Sequence, residues 1–324
     1  MPPRSGRCSP VARVNIIILN WNDAPTALAC AASVRASTYT DYSYRVVDNG
    51  STDGSAEMLE AELGPEHVLR VGRNDGYTGG MNAGIAAWMA TDAPFGLLLT
   101  EDVRLEPNTL AALVEALTHH PALGIVGPVI MNRRNGAVHS AGGFVRREGM
   151  HIMHSMVEPA ADVANPPSAQ DVDEVQWVDG CCMLVRRQVI DSVGGFDERF
   201  FLYGDEVDLC WRASLAGWSI GLVRSARASQ IPGDSLSNRF REYYLPRNKI
   251  FFCRKHFGTQ AALRAAASHL YWGVPPLWML NRHQGQAEAW TLSFAGLTGI
   301  VHGILGRGGK MPGWLAERAP ARSG

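Results

Sequence analysis

Between Gly194 and Arg212 the chain reads GGFDERFFLYGDEVDLCWR, which sets Asp197, Glu198, Asp205, Glu206 and Asp208 around the aromatic run Phe200, Phe201 and Tyr203. Asp205 and Glu206 open a helical pattern, Asp205–Ala216, whose apolar members are Val207, Leu209, Cys210 and Leu215. The unpaired N–H groups of a helix's first turn stabilise ionised carboxylates. A carboxylate held beside an aromatic wall can take a proton from a hydroxyl, so this stretch reads either as a general base or as an ordinary helix start. Two further acidic points follow apolar runs directly, Asp48 after Arg45-Val46-Val47, and Glu101-Asp102 after Leu97-Leu98-Leu99-Thr100.

The elements that must position these groups alternate. Strands are expected at Val14–Leu19, Tyr44–Val47, Val68–Val71, Phe95–Leu99 and Gly124–Ile130, with helices at Pro25–Ala36, Ser55–Leu63, Gly79–Met89 and Pro107–His119. Such alternation predicts an α/β fold, a mostly parallel sheet covered by helices on both faces. Ligands bind such a sheet beyond the carboxyl ends of its strands, so Asp48, Glu101 and Asp102 should converge there. The glycine-rich segment Arg73–Gly84 opens a helix but has neither a Lys-Ser/Thr pair nor G-x-G-x-x-G; its glycines would let backbone approach a flat ligand. Asn132–Asp171 reads as a hairpin with an irregular excursion, Val175–Val185 as an apolar run, Gln188–Val193 as a short helix and Trp218–Val223 as a late strand. From Phe240 onward the pattern is helical and aromatic.

Composition narrows the partners. A formal net charge of -1 over 324 residues, with 46% hydrophobic and 19% charged residues, gives no basic face for nucleic acid. The six cysteines follow no metal spacing and read as buried thiols of a reducing, cytoplasmic compartment. Residues 1–13 lack the apolar centre of a signal peptide and read as a disordered leader. The most apolar segment, Ala289–Gly306, is interrupted by His302 and several glycines and is not a membrane span. Within it Trp290, Phe294, Leu297, Val301 and Ile304/Leu305 recur at helical spacing. Packing on the rest of the chain is the simpler account, and an interfacial helix beside the basic tail (Arg307, Lys310, Arg318, Arg322) is the sharper one.

The ordered set of motifs resembles an inverting glycosyltransferase of family 2, in particular its bacterial rhamnosyltransferase-like branch, with a GT-A fold. The matching stretches are Asn20-Trp21-Asn22, VVDNGSTDGS at Val46–Ser55, NDGYTGGMNAG at Asn74–Gly84 and LLLTEDVRLEP at Leu97–Pro107, followed by WVDGCCMLVRR at Trp177–Arg187, the acidic stretch, and YYLPRNKIFFCRKHFG at Tyr243–Gly258. The resemblance implies a donor nucleotide-diphosphate sugar (dTDP- or UDP-linked), with Asp48 on its base and Asn20, Asn49, Asp75, Gly79 and Asn82 lining the nucleotide. It further implies Glu101 at the ribose, Asp102 on a divalent cation (Mg²⁺ or Mn²⁺), and Arg247 on the diphosphate side. The catalytic carboxylate is then Glu206 by position or Asp205 by residue type, and Trp177, Asp179 and Gly180 flank the acceptor. The acceptor hydroxyl belongs to a cell-envelope or lipid-linked glycan, or to a natural-product aglycone, and a lipid-linked one implies peripheral contact with the inner membrane face through the C-terminus.

Three positions depart from the family pattern. Thr100 stands where an acidic residue or Asn usually precedes the metal Asp, the usual Glu-Asp order is reversed at Asp205-Glu206, and no His lies near Ser235. These departures leave room for a catalytically weak sugar-nucleotide-binding protein. A sugar nucleotidyltransferase would share the sheet, but no basic triphosphate loop stands near the N-terminus. The expected organisation is a leader at 1–13, a GT-A domain at 14–258 and a helical appendage with a basic tail at 259–324.

Overall fold

The computed structural model describes residues 13–146, 151–154, 171–231, 238–273 and 286–316. Its first half alternates as the apolar pattern demands: β1 (Val14–Asn20), α1 (Ala24–Arg35), β2 (Tyr42–Asp48), α2 (Ser55–Leu63), β3 (Val68–Arg70), α3 (Gly76–Met89), β4 (Phe95–Thr100), β5 (Arg104–Leu105), α4 (Thr109–His119) and β6 (Leu123–Asn132). Successive strand residues point to opposite faces. Ile16, Ile18, Val46, Leu97 and Leu99 enter one core with α1 and α4, while Ile17, Leu19, Val47 and Leu98 enter the other with α3. Both faces are covered, and each fully buried aliphatic side chain contributes about 1.5–3 kcal/mol.

Next come β7 (Val138–Ser140), the hairpin β8 (Gly143–Arg146) and β9 (His151–His154), then β10 (Val172–Val175), β11 (Cys182–Arg186), α5 (Arg187–Val193), α6 (Asp205–Leu215) and β12 (Ser219–Gln230). The main sheet runs β10-β12-β6-β11-β4-β1-β2-β3. Strands β3, β2, β1 and β4 are mutually parallel, β12 is parallel to β6, and β11 is antiparallel to both β4 and β6. The reversed β11 positions the site: because it runs against β4, the residues just before it lie at the carboxyl end of β4. The expected apolar run Val175–Val185 is therefore two strands with a loop between them, and that loop holds Trp177, Asp179 and Gly180.

The chain continues through α7 (Asn238–Phe257), α8 (Thr259–Ser268), α9 (Gln286–Leu305) and α10 (Gly313–Ala316). Helix α9 lies close against α7: a Cβ at Gly299 would stand 2.2 Å from the Tyr243 carbonyl oxygen, and one at Gly303 would stand 3.0 Å from Ile250. The face it buries carries Leu292, Ala295 and Ile300. Trp290, Phe294, Leu297, Val301 and Leu305 are exposed. Packing therefore accounts for Ile304, which lies against the cluster of Ile250 and Cys253, and is corrected for the other five, since a 3.6-residue period marks a face without saying which way it turns. Among the described residues no helix is long and apolar enough to cross a membrane. The leader up to residue 12, Ser235, Arg318 and Arg322 lie outside the described residues.

Candidate active site

Asn20 and Asp48 are register partners at the carboxyl ends of β1 and β2, both buried. Asn20 Nδ2 donates to Asp48 Oδ1 at 3.1 Å, and the Ser51 N–H donates to Asp48 Oδ2 at 3.1 Å. Asn20 Oδ1 is buried with no hydrogen-bond partner among the described residues, an acceptor beside an acceptor carboxylate. Asn49 faces the glycine-rich turn: its Nδ2 donates to the Gly76 carbonyl at 2.8 Å. Gly76 takes φ +76°, and a Cβ there would stand 2.4 Å from the Phe201 carbonyl oxygen, so only glycine brings the start of α3 against the 200–204 loop. Asp75 sits at this turn in an exposed ion pair with Arg73 at 2.8 Å, and Gly79 leaves room for its side chain.

One strand over, the Glu101 N–H donates to the Leu19 carbonyl at 3.1 Å, joining the ends of β1 and β4. Asp102 follows, mostly shielded, and accepts the Thr100 hydroxyl at 2.5 Å. Burial holds its carboxyl above the usual range, and the charge of Asp179 adds to that, opposing Thr100. Thr100, at the position that departs from the family pattern, thus has a local role. Asp179 arrives through reversed β11: the Thr100 N–H donates to the Cys181 carbonyl at 3.1 Å, and Asp179 Oδ1 accepts the Cys181 N–H at 3.0 Å.

Helix α6 brings the last pair. Gly204, at φ +76°, precedes it, and Asp205 and Glu206 occupy its first turn. Asp205 is 2% exposed. Glu206 is partly open to solvent. Burial pushes both carboxyls up, each facing the charge of Asp179, with Asp205 beside Glu206 and Asp208 beside Asp205; the N–H groups of Gly204 and Glu206 partly offset this for Glu206. A Cβ on Gly180 would stand 3.1 Å from Glu206 Cβ and 3.4 Å from the Tyr77 hydroxyl, so the absent side chain admits the acid pair to the strand ends. The Tyr77 hydroxyl donates to the Gly180 carbonyl at 2.6 Å, joining the glycine-rich helix to the same point. Asp179 therefore faces Asp102 on one side and the Asp205–Glu206 pair on the other, acids from three separate stretches, at the end of β4 and two strands over from Asp48 on β2.

Three expected site residues stand elsewhere. Arg247, expected at the diphosphate, is fully buried with its guanidinium over the Tyr244 ring at 4.6 Å. It donates to the carbonyls of Phe200 at 2.5 Å, Gly309 at 2.6 Å and Arg199 at 3.1 Å, so its donors are consumed in a clamp. Asn82 is tied to the backbone of Phe196 through both amide atoms, at 2.9 and 2.8 Å, and to Glu198 at 3.1 Å. Trp177 is buried in the core, because the 176–181 loop turns it inward and its carbonyl accepts the Gly143 N–H at 3.0 Å.

Sequence reasoning missed Tyr77, although it lies in a quoted motif, and it missed a buried ionic hub under α6. Asp208 is 0% exposed and binds Arg212 and Lys255, each at 2.8 Å, and His256 at 2.8 Å. Burial alone would raise Asp208, but His256, Arg212 and Lys255 together hold it below the ordinary value. Only the Asp208–Arg212 spacing carried a signal, since it is an i, i+4 pair.

Comparison with known proteins places this geometry. The "Glycosyl transferase family 2" model matches residues 15–153, and the "Glycosyl transferase family group 2" model matches residues 97–303, more than half of the chain. An N-acetylglucosaminyl-diphospho-decaprenol L-rhamnosyltransferase of Mycobacterium tuberculosis is 28% identical over 82% of this chain and 88% of its own length. Among solved structures, the mannosyltransferase PcManGT from Pyrobaculum calidifontis, in complex with GDP-Man and Mn²⁺, aligns with a TM-score of 0.55 and 16% identity, over 91% of this chain and 88% of its own. GalNAc-T7 with UDP, GalNAc and Mn²⁺ aligns with a TM-score of 0.56 and 16% identity over 76% of this chain, which spans 51% of GalNAc-T7. The chain belongs to glycosyltransferase family 2, as a rhamnosyltransferase-like glycosyltransferase on the GT-A fold.

Proposed function

We propose that this enzyme moves a sugar from a dTDP- or UDP-linked donor to an acceptor hydroxyl with inversion, by one displacement in which Glu206 is the base. The observation that carries this reading is Asp179, in the loop before β11, facing Asp102 at the end of β4 and the Asp205–Glu206 pair at the start of α6, two strands over from Asp48. Glu206 is chosen over Asp205 because it is the partly open member of the pair. An acceptor hydroxyl gives its proton to Glu206 as it attacks, an assistance worth about 10²–10⁴-fold in rate. Asp205 and Asp179 act as like charges that raise the proton affinity of Glu206. Asp48 and Asn20 offer neighbouring acceptors to the N–H of a pyrimidine base, Asn49, Asp75 and Gly79 border it, and Glu101 faces the ribose.

The oxygen donors fit a hard divalent cation: Asp102 is shielded, raised by burial and crowded by Asp179, which a cation would relieve. Among the described residues no group of three metal-ligating side chains gathers. One or two carboxylates suffice when a diphosphate and waters supply the remaining ligands. When bound, Mg²⁺ or Mn²⁺ would neutralise charge gathering on the leaving diphosphate. The Mn²⁺ named with both structural neighbours supports that role. The printed name of the mycobacterial relative supports a lipid-linked acceptor, and with it a cytoplasmic enzyme in peripheral contact with the membrane. The domain reading, a catalytic unit at 14–258 with a helical appendage at 259–324, goes with this function.

Two variants separate the roles. Glu206→Gln should lose transfer by at least about 10²-fold while donor binding, read by thermal shift, survives. Asp102→Ala should lose the donor-induced shift seen with Mn²⁺. Full transfer by Glu206→Gln with a dead Asp205→Asn moves the base by one residue. A chain that binds donor yet releases no nucleoside diphosphate with any acceptor is a binding protein instead.

A further inference from the structure

We infer that the outer face of α9 is a seat for an anionic lipid surface. This deepens the lipid-linked acceptor reading and rests on it for its purpose, though not for its test. Trp290, Phe294, Leu297, Val301 and Leu305 follow one another at three- and four-residue steps, a single stripe about 22 Å long. Trp314 of α10 extends it, with its ring 5.7 Å from that of Phe294. All six are between 41% and 62% exposed. The α7 contact does not use this face, since α9 packs on α7 through Ala295, Ile300 and the glycine contacts.

Charge selects the occupant. Between Glu288, at the start of α9, and Glu317 the sequence has no carboxylate, while Arg307 and Lys310 stand exposed just beyond the stripe. Tryptophan, phenylalanine and leucine beside exposed cations is the composition of helices that lie in a headgroup layer. An anionic bilayer satisfies the apolar stripe and the cations together.

The seat is joined to the chemistry. Arg247 on α7 holds Gly309, beyond the stripe, and also Arg199 and Phe200, while Asn248 holds the Leu202 and Tyr203 carbonyls at 2.7 Å each. Gly204 and the acid pair follow directly. The same two residues thus tie the segment that follows α9 to the loop that leads into the acid pair.

The test is co-sedimentation of the full chain with phosphatidylglycerol-containing vesicles, with pure phosphatidylcholine vesicles and with none, in the absence of donor. Binding is expected on anionic vesicles, weakened about tenfold or more by Leu297→Glu/Val301→Glu, and by Arg307→Glu/Lys310→Glu. The unchanged donor-induced thermal shift of each variant shows that it is folded. No binding to anionic vesicles, or equal binding by the Leu297→Glu/Val301→Glu variant, overturns the inference. So does sedimentation velocity showing a dimer that this variant dissolves while vesicles leave the wild type in solution. Vesicle binding by a chain that transfers no sugar would leave the seat standing and remove the catalytic reading.

Discussion

At the scale of single residues, the site depends on carboxylates kept from ionising freely. Burial, then the charges of Asp205 and Asp179, hold Glu206 well above the ordinary carboxylate range. A base works only when deprotonated, so kcat/KM should fall as pH drops through that raised value, giving an acid limb above the value of about 4.3 for a free Glu. Asp205→Asn removes a like charge, so the pKa of Glu206 falls and the limb should move to lower pH. A limb that stays in place would show that the two groups do not titrate together. The strand-end carboxylates were legible because an apolar run stopping at an acid is a pattern in the sequence alone. Tyr77 was not, because a tyrosine inside a glycine-rich turn carries no mark of the distant carbonyl it meets.

At the scale of elements, α6 must keep its first turn at the strand ends, and Asp208 is what anchors it. One carboxylate ties α6 to itself through Arg212 and to α7 through Lys255 and His256. Lys255 also reaches Asp197 at 2.8 Å, so the loop before α6 shares the anchor. Asp208→Asn removes the buried anion shared by Arg212, Lys255 and His256, which keep part of their other contacts, and should cost about 1–3 kcal/mol, measured by denaturant unfolding. The sign with pH follows from the lowered carboxyl. Its stabilisation is complete above the unfolded value of about 3.9 and is lost as pH falls through the lower folded value. The wild type should therefore weaken in strong acid more than Asp208→Asn does. Helix α6 itself was readable from its period and acidic start, but its fifth carboxylate looked like one more dipole partner. Its function is tertiary, since two of its three partners lie on α7.

At the scale of the whole molecule, the Arg247 clamp binds the C-terminal segment to the loop that introduces the acid pair. Its guanidinium satisfies three carbonyls and rests over Tyr243, Tyr244 and Phe251, an arrangement that a lysine cannot reproduce. Arg247→Lys should cost about 3 kcal/mol or more, since each buried acceptor left unmade costs about 1–3 kcal/mol, and thermal unfolding reads the loss. Donor affinity of the folded variant should remain. A variant of full stability that has lost donor affinity would return Arg247 to the diphosphate.

Local sequence determined what local physics controls: the alternation of apolar runs with helical periods, and therefore the covered sheet, and the acids that end its strands. The family motifs added which of those acids belong together. Three matters waited for the tertiary structure. The reversed direction of β11 brings Asp179 beside Asp102, and strand direction leaves no trace in a strand's own residues. The stripe on α9 turns outward because its glycine-bearing side makes the closer fit to α7, a comparison of two faces that one period cannot make. Arg247 is consumed inside because its three carbonyl partners come from segments far from it in the chain, which meet only once the molecule has folded.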